Sequence, residues 1–193
     1  NPLVYGDSLG LKLGTAAGIL LFYIRLPIFP QPLSFYYGFD EIPLTGLLSF
    51  SAIASIVIHG ALLVLAIRGL KKRSMLSLGI WIYLLGIILY SNALIPAPGI
   101  VADRFTIVAL LGFCIAIVSI ILFFIKTDIA DAKITKRKRN IVLIITIALL
   151  LPYGIKTFTR NKDWRTYLSL YEADIPHLEN SVKANMLYAQ ALT

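Results

Sequence analysis

Long apolar runs alternate with short polar segments along most of this chain. Three runs are clear, at residues 49–67, 75–95 and 105–125; a shorter one covers 141–157 and the weakest 11–29. Each approaches the ~20 residues that carry a helix across the hydrocarbon core of a bilayer. The pattern predicts an all-α, polytopic membrane protein with four to five membrane helices in a region spanning 1–158. The first run carries Arg25 and Pro27 near its end. It either spans, or it is re-entrant or interfacial. In the last run Pro152 and Gly154 predict a kink or an early exit.

From residue 159 the pattern changes. Residues 163–175 place Trp164, Leu168, Tyr171 and Ile175 on one helical face, with Asp163 as the expected cap and Pro176 as the stop. A second helix from about Ser181 aligns Val182, Met186 and Ala189. Two short amphipathic helices cannot bury both faces alone, so 159–193 is expected to be an external hairpin that starts a helical-repeat array. Gly6, Gly10, Gly14 and Gly18 recur every four residues, a spacing that gives one smooth stripe for close backbone approach. Gly6 and Gly10 fit equally well in a loop before the helix.

Composition agrees with the membrane reading: 58% of residues are hydrophobic and 15% charged. The net charge of +8 would suit nucleic acid if it lay on a polar surface, but ten of the eighteen Lys and Arg residues sit in two segments between apolar runs. These are Arg68, Lys71, Lys72 and Arg73, then Lys126, Lys133, Lys136, Arg137, Lys138 and Arg139. Basic loops stay on the side from which the chain is inserted, so both are expected to be cytoplasmic and no nucleic-acid partner is expected. Loops 30–48 and 96–104 are then external, as is the tail, three spans beyond loop 68–73. Arg160, Lys162 and Arg165 make that tail more basic than the rule favours.

A bacterial inner membrane is expected ahead of the endoplasmic reticulum. Cys114 stands alone in an apolar run and reads as a small buried side chain. Two histidines without a Cys/His cluster give no metal signature. The chain opens Asn1-Pro2-Leu3 without a signal peptide and ends at Thr193 inside a helical pattern, which reads as part of a longer polypeptide.

Candidate chemistry lies in the external loops. The first is dense in aromatics (Phe35, Tyr36, Tyr37, Phe39) beside Asp40 and Glu41. It is either an interfacial aromatic belt or a loop facing substrate. Asp103 and Arg104 stand where an apolar helix begins. Charge at membrane depth is costly, which points to a cavity or a pair; the alternative is a half-solvated interface position with one residue capping the helix. Arg is shaped to hold phosphate through two parallel hydrogen bonds, and Asp103 can orient it or accept sugar hydroxyls. Arg25 either snorkels to the surface or adds a second phosphate contact. His59, mid-span, is read as a helix-packing hydrogen bonder ahead of a proton relay. No Gly-rich phosphate loop, Gly-x-Ser-x-Gly or His-Glu-x-x-His is present.

Four patches in order carry a family resemblance: Asn1-Pro2-Leu3; Tyr23-x-Arg25 with Phe29-Pro30-x-Pro-Leu-Ser34 and Ile42-Pro43-Leu44; Ser91-Asn92 with Gly99 to Arg104 and Gly112-Phe-Cys114; and Arg160-Asn161-x-Asp163-Trp164-Arg165 with Ser169-Leu-Tyr171. The chain resembles the membrane O-mannosyltransferase-like proteins that join a multi-span glycosyltransferase-C region to tetratricopeptide repeats, and matches the C-terminal part of their membrane region. The resemblance implies a polyprenyl- or dolichyl-phosphate sugar as donor, no metal cofactor, and an acceptor protein or partner subunit on the external face. In such enzymes the catalytic acid lies in the first external loop of the whole protein, so none is assigned in this chain.

The expected site is therefore Arg104, with Arg25, on the donor phosphate, and Asp103, Asp40 and Glu41 orienting or holding sugar. Tyr36, Asp103, Ile107 and Ala109 differ from the residues the family tends to carry. Those departures keep open a non-catalytic scaffold that docks a partner through external repeats. A transporter would need paired broken helices, which the pattern lacks.

Overall fold

A computed structural model describes residues 8–31, 33–37, 42–93, 101–127 and 135–193. Asp40, Glu41, Gly6, the Asn1-Pro2-Leu3 patch and the Pro-Ala-Pro-Gly stretch before Ile100 lie outside them. The described residues are helical apart from loops and one isolated antiparallel bridge, Tyr37 to Val101. Seven α-helices follow in order: α1 (Leu9–Arg25), α2 (Phe50–Leu70), α3 (Met75–Ile88), α4 (Ile107–Ile125), α5 (Lys136–Arg160), α6 (Tyr167–Asp174) and α7 (Val182–Ala191). Among the described residues three helical segments are long and apolar enough to cross a membrane: Phe50–Leu70, Asp103–Ile125 and Lys136–Arg160. Helix α3 is apolar and shorter.

Local chemistry sets the ends. Ser8, Ser49 and Ser181 each cap a helix by accepting from a backbone N–H in its first turn. Helix α4 ends at Lys126 in the left-handed conformation, φ 53°. Helix α6 differs from the expectation. Its cap is Thr166, in a reciprocal capping box with Ser169, and residues Asp163–Arg165 form a separate 3-10 turn. Asp163 is drawn instead to Arg160 (3.1 Å). Helix α5 makes no early exit: it continues through Pro152, Tyr153 and Gly154 to Arg160 although the proline removes one hydrogen bond.

Helices α3 and α4 pack antiparallel and almost backbone to backbone. A Cβ placed on Gly79 would lie 2.6 Å from the Ala116 nitrogen, and one on Gly86 2.8 Å from the Ala109 nitrogen. Gly112 meets Tyr83 and Gly79 in the same way. Small residues here do what they do between membrane helices, admitting close approach. The pairing sets the start of α3 beside the end of α4. Helix α5 starts at that same end, where the Lys138 ammonium donates to the Lys126 carbonyl (2.6 Å). The basic segments thus gather at one end, and Asp103 and Arg160 lie at the other.

Helix α1 runs in the same sense as α2. Gly14 abuts the Thr45–Gly46 backbone, and the Thr15 hydroxyl exchanges hydrogen bonds with Thr45 (3.0 and 3.3 Å), just ahead of α2. Gly18 comes next, against Thr45 and Ser51, and Ile24 reaches the level of Leu62 and Tyr83. The expected glycine stripe is therefore partly realised, mainly against the loop ahead of α2, with Gly18 also reaching Ser51 in its first turn; a Cβ on Gly10 would meet nothing within 4 Å. The core joins Ile19 and Tyr23 of α1, Tyr37, Ile42, Tyr83 and Ile87 of α3, Val101 and Ala109. It sits toward the end away from the basic segments and holds the loops there in place.

Cys114 is exposed on α4, not buried as its apolar surroundings suggested. Trp164, Val182 and Met186 are exposed too, and the hairpin packs through Leu170, Asp174, Leu178 and Ala184 instead.

Candidate functional site

The site grows from two crossings of the chain, between the depth reached by α1 and the end remote from the basic segments. Helix α1 stops at Arg25, and the segment after it passes beside α5, where the Tyr153 hydroxyl donates to the carbonyls of Pro27 and Ile28. Two adjoining clefts open between them and share Arg25, Gln31 and Lys156. The larger, about 630 Å³, is polar, with Arg160, Asp163, Asp174 and His177 on its far wall. The smaller, about 490 Å³, is largely apolar, walled by Ile28, Phe29, Pro152 and Tyr153.

Charge differs between the two. In the larger cleft Arg160 is engaged by its own neighbours, one cation against two carboxylates. Its guanidinium donates to both oxygens of Asp174 (2.6 and 2.7 Å) and to Asp163 (3.1 Å). Asp174 is 2% exposed and also accepts from the Phe35 backbone N–H at 2.7 Å. Arg25 and Lys156 make no ion pair among the described residues. These two cations face the junction of the clefts, and among the described residues no acid lines the smaller one. Such a junction attracts an anion that carries an apolar tail.

Asp103 opens a 3-10 turn, Asp103–Thr106, behind this wall. The Tyr37 hydroxyl interacts with its carboxylate, and Arg160 and Asp174 lie within electrostatic reach of it. Its Oδ1 is buried and has no hydrogen-bond partner. Tyr37 itself is buried beside Val101 and accepts from the Ser34 N–H (3.1 Å). Burial, reinforced by the Asp103 charge, pushes the Tyr37 pKa well above the usual tyrosine range. It therefore stays a neutral donor.

Of the expected site residues, Arg25 lines both clefts and Asp103 lies behind the larger one. Arg104 is exposed, with its guanidinium 5.3 Å from the centroid of the Phe105 ring, and it lines neither cleft. Phe105 stacks in turn on Tyr90 at 4.3 Å. Asp40 and Glu41 fall outside the described residues. Of the aromatic loop, Phe35 packs on Tyr171 (4.6 Å) and Tyr36 lies under the Lys183 ammonium (4.8 Å), which ties the loop to α6 and α7.

His59 is satisfied within the helices. Its Nδ1 bonds the Ser55 carbonyl (2.9 Å) and its Nε2 the Tyr83 hydroxyl (3.1 Å). That is the packing role expected of a lone intramembrane histidine. Among the described residues no group of three His, Cys, Asp or Glu is placed to hold a metal ion.

Sequence reasoning overlooked Lys156 and Asp174. Lys156 closes an apolar run and looks like an ordinary snorkelling end. Asp174 had a legible signal: Leu170, Asp174 and Leu178 repeat every four residues, so the acid occupies a core position. A buried acid there requires a cation. Compared with known protein families, curated proteins and solved structures, the chain matches none.

Proposed function

We propose that this chain is the C-terminal membrane segment of a glycosyltransferase-C-type protein O-glycosyltransferase that draws its sugar from a lipid-phosphate donor. Helices α2 to α5 are the membrane helices, with the basic segments on the cytoplasmic side. Helix α1 is re-entrant. It enters from the external side in the same sense as α2, and the segment after Arg25 returns to that side. The α6–α7 hairpin is external and begins a tetratricopeptide-like array.

The observation that carries the reading is the pair of joined clefts with Arg25 and Lys156 at their junction. A donor of this class has three parts of different chemistry. Its phosphate suits the two cations, its polyprenyl tail suits the apolar wall of Ile28, Phe29 and Pro152, and its sugar suits the polar cleft. Asp103, with its Oδ1 buried behind the wall of the polar cleft, would orient its neighbours from there and not touch the sugar. Arg104 is a second candidate for the phosphate, approached from the Asp103 side. The transfer itself needs a base that we do not assign to these residues.

The test is sugar transfer by the full-length protein in proteoliposomes, with donor and acceptor concentrations varied separately. Each charge-assisted phosphate bond contributes about 1.5–3 kcal/mol. Arg25→Ala and Lys156→Ala are therefore expected to raise the donor KM roughly 10- to 100-fold and to leave the acceptor KM in place. Unchanged donor kinetics in both variants would remove the cleft from the mechanism.

A second reading is a non-catalytic scaffold. What favours it is the exposed apolar face of α7, Val182 and Met186, on a hairpin fastened to the membrane end by Arg160 and Asp174. Partner capture that survives loss of all sugar transfer would support it.

A further inference from the structure

We propose that the corner where α5 gives way to α6 is an anchor for anionic phospholipid headgroups. The corner comprises Phe158, Lys162, Trp164 and Arg165. It is distinct from the donor cleft and needs only that α5 crosses a membrane.

The argument starts from α5. None of its residues is buried, and its apolar side chains Ile147, Leu151, Ile155 and Phe158 fall at intervals of three or four, on one side of the helix. Hydrocarbon is the environment that accepts such a stripe. Phe158 is its last member and is 70% exposed. One turn on, the Lys162 ammonium lies 5.4 Å from the centre of the Phe158 ring. That is the geometry of a snorkelling lysine, with the stem along an apolar ring and the charge at the level where lipid phosphates begin.

The chain then turns. The 3-10 turn Asp163–Arg165 follows at that level, with Trp164 61% exposed. Tryptophan in a water-facing turn would lose nothing by being polar, but at the headgroup boundary its ring and N–H both find partners.

Charge complementarity selects the occupant. Arg160 is engaged by Asp163 and Asp174, a cluster of one cation and two carboxylates. Lys162 and Arg165 remain, without an ion pair among the described residues. Two cations beside two exposed aromatic rings, at the end of a membrane-length apolar helix, fit an anionic bilayer surface. The same placement accounts for the basic tail that the positive-inside rule disfavours. Arg160 is internally paired, and the other two cations bind lipid and do not report sidedness.

The test uses the full-length protein reconstituted in bilayers of phosphatidylcholine with phosphatidylglycerol. Trp81→Phe is introduced so that, of the two tryptophans in this chain, Trp164 alone reports; any tryptophan elsewhere in the full-length protein is replaced likewise. The quenchers are lipids brominated close to the glycerol. Trp164 emission is expected to be quenched, and more strongly when the bromines are on phosphatidylglycerol than on phosphatidylcholine. Each cation near the surface enriches anionic lipid about fivefold, so the preference should disappear in Lys162→Gln/Arg165→Gln while quenching itself persists. Equal quenching by the two lipids in the parent would overturn the proposal. So would quenching by aqueous iodide without lipid quenching, or shielding from both, which would mean that protein covers the corner.

Discussion

Arg160 holds Asp174 with two parallel hydrogen bonds, 2.6 and 2.7 Å long, across the turn that separates α5 from the end of α6. The acid is 2% exposed and the arginine side chain 14%. The same carboxylate takes the Phe35 N–H, so one buried acid joins a membrane-length helix, the first helix of the tail and the loop after α1.

Removing one member of such a pair leaves the other buried without a partner, which costs about 3–5 kcal/mol. Asp174→Ala is therefore expected to release the α6–α7 hairpin without unfolding the helices below it. Hydrogen exchange should show protection lost in 167–191 and retained in α3 and α4. Replacing both residues by leucine should restore part of it, because no buried charge then lacks a partner; Asp163 is one-third exposed and is solvated, and the Phe35 N–H still lacks its acceptor.

The cleft makes a distinction between arginines. Arg25 and Lys156 face it, and Arg104 leans on Phe105 outside it. Binding of a short-chain polyprenyl phosphate with no sugar attached should weaken roughly 10-fold or more in Arg25→Gln and in Lys156→Gln. Arg104→Gln is expected to change it by less than either. Equal losses in all three would move the phosphate toward Asp103.

Glycine substitutions should separate by position. A Cβ at Gly112 collides with the backbone of α3, whereas one at Gly154 meets nothing within 4 Å. Gly112→Ala is expected to cost about 1–3 kcal/mol, the usual penalty of overpacking. Gly154→Ala should be neutral or stabilise by about 0.5–1 kcal/mol, since alanine is the better helix former. Unfolding in mixed detergent micelles, followed by circular dichroism, ranks the two.

His59→Phe and Tyr83→Phe each break the same 3.1 Å bond. Interhelical bonds of this kind contribute about 0.6 kcal/mol in membranes, so both variants should fold and leave the proposed sugar transfer at the parent rate. A rate loss in His59→Phe, rescued at altered pH, would convert it into a proton carrier.

Tyr37 predicts an alkaline limit to stability. Its pKa is raised above the ordinary value of 10.0, first by burial and then by Asp103. In the unfolded chain it ionises near that ordinary value; in the folded chain it does so only at higher pH. Its contribution is fully present below pH 10.0 and is lost as pH rises beyond. Denaturant midpoints should be flat from neutral pH to about 9 and fall above it, with a shallower fall in Tyr37→Phe.

Much of the fold could be read from apolar period and from serine caps, because both are local. Ser8, Ser49 and Ser181 each stand one residue before a helix, and α2 and α4 follow the hydrophobic runs. What could not be read depends on tertiary choice. Asp163 looks like a cap until Arg160 claims it, which leaves the capping to Thr166. The sense of α1 is set by Gly14 and Thr15 meeting Thr45, a contact that no periodicity announces. Within the site, Arg25 and Asp103 were visible as charges next to apolar runs. Lys156 was not, because its significance lies in an approach to Arg25 from the far end of the chain.

The glycine seam between α3 and α4 has a mechanical consequence. Backbones in contact have no side chains between them to repack, so this pair behaves as a stiff post. Helix α5 is a different kind of part: it is tethered by Lys138 at one end and by Tyr153 and Arg160 toward the other, with no buried residue between. It is a lever on two pins beside a fixed post. The cleft lies between that lever and the segment after α1, so a change in the tilt of α5 would alter its mouth without touching the glycine seam.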